Sequence, residues 1–407
     1  MKGDGVVPTD AISARRPRHR GAAVAGLALG AAAGAYVGRC AFEERPANAS
    51  PALVDWDLVQ RIAVGMNRGE ALTAASRERL DREYRDLVAG VLPEVCAYTG
   101  FVASGAAERT RVVDRIDWVH ANLAQFEQLF SAFDGLASSD GSVASALLSG
   151  VNRQALSGEL GVLLGYLARR VLGQYDLSLL GKESIDTSQL LFVEPNIVAA
   201  ERALGVPSAH FRRWLALHEV THVVEFEGVP WLRPYFNGLL ETYMAYLKED
   251  IVALRSGFPA LRGMVGRAVA QHRDGLGWFE AMMSPDQRVL FSRMQAAMCM
   301  VEGYSNHVMN AIGRETLPSY EAITSAFARR QAERSTAERM FIRLTGLEMK
   351  LEQYRLGEAF IDRIVAAQGH DVARRIWDGP DALPTMDEVH APELWLARMG
   401  VAASASA

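Results

Sequence analysis

The sequence is poor in cysteine: Cys40, Cys96 and Cys299 are the only three in 407 residues. They are too few and too scattered for a disulfide framework or a four-thiolate zinc site, so a metal here would have to use His, Asp or Glu. Proline and glycine number only 15 and 35 while 49% of residues are hydrophobic. That balance excludes a disordered, collagenous or low-complexity chain and supplies a sizeable core. A Lys/Arg block is missing from the body, and the formal net charge is −5. A general nucleic-acid binder needs a basic face to neutralise phosphates, so nucleic acid is not an expected partner. Alternating strand patterns are scarce as well. From residue 54 to about 399 the apolar residues recur mainly three and four apart, the period of a helix. The fold class this predicts is mainly α, with at most a small β element near residues 190–194, where Leu-Leu-Phe-Val is stopped by Glu194-Pro195.

Composition divides the chain into residues 1–50, a body at 51–400 and a small-residue tail at 401–407. The first segment carries Lys2, Arg15, Arg16, Arg18 and Arg20, followed at 21–38 by a run of small and apolar residues. There Gly26, Gly30, Gly34 and Gly38 fall four apart and would form a glycine zipper on one helix face. This segment reads as a short membrane anchor with a cytoplasmic basic flank, which makes the protein membrane-associated; a cleaved signal and a soluble helix, the latter leaving the chain cytoplasmic, are the alternatives. In the body, helices are expected at 74–98, around Trp118, Leu123 and Phe126, at 156–172 and at 286–312, with a loop at 135–141. The helix at 156–172 is apolar nearly all round and contains Gly158, Gly161 and Gly165, which predicts a central position with close neighbours.

Residues 218–222 read His-Glu-Val-Thr-His. On a helix, residues four apart stand one turn above each other, so His218 and His222 can turn a ring nitrogen towards one metal ion. Glu219 lies about 100° round the helix, near enough to hold a water without ligating. Pro207-Ser208 offers an N-cap, Phe211, Leu215, His218, His222 and Phe226 line one face, and Gly228 with Pro230 ends the helix. Random order gives such a motif roughly once in seventy chains of this composition, so a third ligand is required to make the case.

A catalytic zinc site takes three protein ligands and leaves one position for water. Glu302 ends the apolar face formed by Met294, Ala297, Met298 and Val301. A carboxylate desolvated there needs a cation or donors, because an unpaired buried charge is penalised by several kcal/mol, on the order of the effective cost of desolvating an ion. Asn306, one turn on, is a candidate to orient a ligating imidazole. Tyr304, His307 and Tyr235 are candidates by position for an oxyanion donor. His210, His272, His370 and His390 have no partner at ligand spacing.

The body resembles a family of zincin-like metallopeptidases, some bacterial members of which are associated with biosynthesis of a deazaflavin coenzyme. The resemblance rests on Val-Asp-Arg-Ile-Asp-Trp at 113–118, the Gly161 to Asp176 stretch, Phe-Val-Glu-Pro-Asn at 192–196, Trp-Leu-Ala-Leu-His-Glu-Val-Thr-His at 214–222 and Val-Glu-Gly-Tyr-Ser-Asn-His-Val-Met at 301–309. It implies a helical fold of gluzincin type in which the H-E-x-x-H helix meets a second helix bringing Glu302. That second helix usually carries Glu-x-x-x-Asp; here Asn306 stands where the Asp would be.

The expected chemistry is peptide-bond hydrolysis, with zinc on His218, His222 and Glu302 and with Glu219 as general base. The expected partner is a peptide or protein substrate, and Leu190 to Val193 is a candidate edge strand for pairing with it. A scaffold that keeps the metal site without turnover is the alternative. A di-iron oxidase would need two Glu-x-x-His pairs, and only Glu219-Val-Thr-His222 has that spacing.

Overall fold

Four consecutive apolar residues, Leu190–Val193, form a strand whose side chains alternate between two cores. Leu190 and Phe192 enter the larger core, and Leu191 and Val193 the smaller one. In the computed structural model, which describes residues 53–69, 71–133, 151–175, 188–255, 283–332 and 347–401, this strand is the middle one of three. Thr110–Val113 (β1) pairs with it in parallel, Thr110 opposite Leu190, and Gly173–Tyr175 (β2) pairs antiparallel, Gly173 opposite Phe192. Leu190–Val193 (β3) is therefore central, not the edge that its short isolated pattern suggested. Neither neighbour was legible, because Thr-Arg-Val-Val and Gly-Gln-Tyr are too short and too polar to show a strand period.

Helices Trp56–Met66 (α1), Arg115–Phe130 (α3) and Val151–Leu167 (α4) enclose the smaller core, while Ala74–Thr99 (α2) packs on the larger. The glycines of α4 do admit a close neighbour: a Cβ on Gly161 would lie 2.9 Å from Ile62 Cβ, and one on Gly165 2.8 Å from Met66 Sδ. The helix is nevertheless peripheral and stops at Leu167, because the exposed Arg169 and Arg170 turn the chain into β2.

The centre of the molecule belongs to Ser208–Gly228 (α6), which follows Glu194–Leu204 (α5). Its start needs no side-chain cap; the Ser208 hydroxyl instead donates to Glu201 at 3.0 Å. After it come Leu232–Arg255 (α7), Pro285–Thr316 (α8), Tyr320–Ala332 (α9) and Leu347–Gln368 (α10). His370–Arg374 (α11), Met386–His390 (α12) and Pro392–Arg398 (α13) complete the chain. A Ser284–Gln287 capping box starts α8. Helices α8 and α10 cross where Gly303 and Gly357 meet, so tightly that a Cβ on Gly303 would lie 2.3 Å from the Gly357 carbonyl carbon.

The glycine-zipper segment at 21–38, the loop at 135–141 and residues 402–407 of the tail lie outside the described residues. Among the described residues no helix is long and apolar enough to cross a membrane.

Candidate metal centre

His218 and His222 stand one turn apart on α6, and their Nε2 atoms come within 3.2 Å of each other. From α8, Glu302 brings Oε2 to 3.7 Å from His218 Nε2 and 3.8 Å from His222 Nε2. Bonds of about 2.0–2.2 Å to a tetrahedral ion set ligand atoms about 3.3–3.6 Å apart, so two nitrogens and one carboxylate oxygen at these separations fit a zinc-sized divalent cation. Among the described residues, these three form the one cluster of His, Cys, Asp and Glu of that kind.

The ring of His222 is held from behind. Its Nδ1 donates to Glu225 Oε2 at 3.1 Å, and Ser305 Oγ, which donates to the same carboxylate oxygen at 2.9 Å, lies 3.0 Å from that nitrogen. This fixes the ring with Nε2 turned to His218 and Glu302, the orientation a ligand requires. Among the described residues His218 Nδ1 has no such partner.

Charge is crowded here. Glu219 is 6% exposed, Glu225 is fully buried, and burial pushes both carboxyls up to about 7, with Glu302 adding to the effect. His222 is pushed up to about 9: burial opposes its charge, but the hydrogen bond to Glu225 and the charges of Glu302, Glu225 and Glu219 outweigh that. His218 is held well below its ordinary value by burial and by His222. Three desolvated carboxylates beside two imidazoles make a donor set that a dication would neutralise.

A cavity of about 820 Å³ opens on these residues. Its walls include Trp214, Leu215 and Phe226 of α6, Met298 and Met309 of α8, and Phe327 of α9. Strand β2 crosses over it, and Gly173 sits on Glu219: a Cβ there would lie 2.5 Å from Glu219 Oε1. The strand is tied down on both sides. Trp118 Nε1 donates to Gln174 Oε1 at 2.7 Å, Gln174 Nε2 donates to Asn122 at 3.0 Å, and the Tyr175 hydroxyl donates to Glu227 at 3.1 Å.

A family model for zincin-like metallopeptidases matches residues 54–396, nearly all of the body. The chain belongs to that family. A crystal structure from Chloroflexus aurantiacus, described as "a putative hydrolase with a novel fold", is 37% identical to the zincin-like chain; the match covers 85% of this chain and 99% of that one, with a TM-score of 0.61. No curated protein matches it significantly. Neither finding bears on deazaflavin coenzymes.

Set beside the sequence reading, His218, His222, Glu302 and Glu219 are brought to one cavity. Asn306 lines it too but makes no hydrogen bond to either imidazole among the described residues. The orienting carboxylate comes instead from Glu225, on the same helix as the ring it holds. Tyr304, His307 and Tyr235 lie off the cavity. The Tyr304 hydroxyl is 3.3 Å from His370 Nε2, His307 bridges Asp362 at 2.6 Å and Tyr98 at 2.9 Å, and Tyr235 packs on Trp231. The helical period explains this, since residues two and five positions from Glu302 leave the face that Glu302, Asn306 and Asn310 share. The positions of Glu225 and Gly173 stand out in the sequence, though not the parts they play. One is a lone acid among Val223, Val224 and Phe226, three residues past a ligand, and the other lies within a family motif.

Proposed function

We propose that the chain is a zinc-dependent peptidase that hydrolyses peptide bonds. The observation carrying this is the convergence of His218, His222 and Glu302 beside a fourth group, Glu219, that lines the same cavity without joining the cluster. A purely structural metal site has no use for such a group. A zinc ion held by the three would supply a Lewis acid that lowers the pKa of water and polarises a carbonyl. Glu219 takes the proton from the attacking water and delivers it to the leaving amine. Glu225 and Ser305 hold the His222 ring in place while this proton moves.

The substrate class follows from β2. It is an edge strand of the sheet and lines the cavity through Gly173, Gln174 and Tyr175, so an extended peptide can add to it by main-chain hydrogen bonds. The missing side chain of Gly173 lets both Glu219 and that peptide approach. The scaffold alternative drew on Asn306 in place of an acid and on the lack of an obvious oxyanion donor; the Glu225 carboxylate answers the first of these.

The test is a comparison of wild type with Glu219→Gln on an unbiased peptide library, with zinc content measured in parallel. Cleavage by the wild type alone, at equal zinc content, supports the reading. An active Glu219→Gln protein removes the proposed base.

A further inference from the structure

One end of the cavity is chemically unlike the rest. Along α8, Glu302, Asn306 and Asn310 follow one another at four-residue spacing and all line it. Asn310 therefore stands about 12 Å from Glu302 along the helix axis. Beside Glu302 the tight Gly303–Gly357 crossing brings α10 against α8, and from there the Glu358 side chain reaches along the cavity to Asn310. Asn310 Nδ2 donates to Glu358 Oε1 at 2.7 Å. No donor reaches Glu358 Oε2, and Glu358 has no ion-pair partner among the described residues. Arg355, exposed at the rim, acts on it only at longer range. Asn310 Oδ1 is buried and also lacks a donor. Two acceptor oxygens, Glu358 Oε2 and Asn310 Oδ1, are thus left without a donor, in a cavity that Trp214, Met309 and Phe327 also line.

We infer that Glu358 is a specificity-determining residue that receives a cationic group of the substrate, its apolar stem lying against Trp214, Met309 and Phe327. This rests on the reading of the cavity as a peptide cleft. An apolar wall ending in a carboxylate matches lysine or arginine, whose methylenes pack while the head stays polar. Two extended residues span about 7 Å, and a basic side chain closes the remaining distance from the reacting bond. A free chain terminus offers the same ammonium without the stem. Burial raises the Glu358 carboxyl above its ordinary range, the direction expected of an acid that gains from a cation.

The test reads binding, so that it does not depend on turnover. Fluorescein-labelled peptides of alanine and phenylalanine carry one lysine, its uncharged counterpart norleucine, or a glutamate, moved through each position. A second set compares acetylated with free N-termini. Affinities are measured by anisotropy for the full chain as Glu219→Gln, alone and combined with Glu358→Gln or Glu358→Lys. At one position lysine should bind about tenfold tighter than norleucine, the gain typical of one hydrogen bond to a charged group. Glu358→Gln should abolish that preference, and Glu358→Lys should reverse it towards a glutamate peptide, which loss of packing alone would not do. A preference found only with free N-termini assigns the cation to the chain end. Equal affinities at all positions, a lysine preference that survives Glu358→Lys, or no binding of any peptide overturns the inference. Charge-selective binding in a wild-type protein that cleaves nothing would instead remove the hydrolase reading and leave this one standing.

Discussion

Gly173 of β2 rests directly on the Glu219 carboxylate of α6, with no room between them for a methyl group. The proposed base is thus roofed by the strand proposed to hold the substrate. Gly173→Ala forces one of the two to move. A displacement near 1 Å in a reacting group lowers activity by about 100-fold, while overpacking of this kind destabilises by about 1–3 kcal/mol. Peptidase assays beside zinc analysis should show activity falling far more than metal content.

The second prediction concerns Glu225, which is fully buried and holds His222 Nδ1. Glu225→Gln keeps the shape and removes the charge. Loss of such an orienting carboxylate weakens metal binding by about 10- to 100-fold. Competition with a fluorescent zinc chelator measures it, and Ser305→Ala should produce a smaller loss in the same direction.

The Gly303–Gly357 crossing yields a third. A Cβ on Gly357 would lie 2.0 Å from the Cys299 carbonyl oxygen, and the obstacle is backbone, which cannot swing aside. Gly357→Ala should destabilise the protein by more than about 1–3 kcal/mol, the usual range for overpacking. It should also weaken zinc binding, because Glu302 is next to Gly303. Thermal denaturation with and without zinc separates the two effects.

A fourth follows from His370, whose pKa is lowered by burial and then by the charges of His307 and Arg374, against the opposing pull of Asp371. It is neutral in the fold, whereas in the unfolded chain it titrates near 6.5. Its contribution to stability is therefore present above about pH 6.5 and is lost as pH falls from there through the lower value of the folded chain. Denaturation midpoints of His370→Gln should depend less steeply on pH than wild type below about pH 6.5, the ordinary imidazole value, and an unchanged slope would count against the assignment.

How much of this was readable from the residues alone varies by element. Period and caps sufficed for the long helices: the segment expected at 74–98 is α2 at Ala74–Thr99, and the end expected at Gly228 is where α6 stops. The His218–His222–Glu302 cluster was legible because four-residue spacing on a helix fixes direction, and because Glu302 closes an otherwise apolar face. The orienting role of Glu225 was not, since Asn306 occupies the position where the family pattern leads one to look. Strand β2 left no local trace. Its three residues form a strand because Trp118, Asn122 and β3 hold them from far along the chain, a tertiary effect that no short window contains. Glu358 needed the crossing of two helices that are distant in sequence, which the spacing of residues within either helix does not reveal.

The central claim is that His218, His222 and Glu302 grip one divalent ion. Diffraction from crystals of the zinc-loaded protein, collected on both sides of the zinc absorption edge, tests it most directly. The account predicts one anomalous peak per chain, bonded at about 2.0–2.2 Å by both Nε2 atoms and a Glu302 oxygen. A peak bound elsewhere, a zinc ion that leaves Glu302 out of its coordination, or no peak at saturating zinc would contradict it.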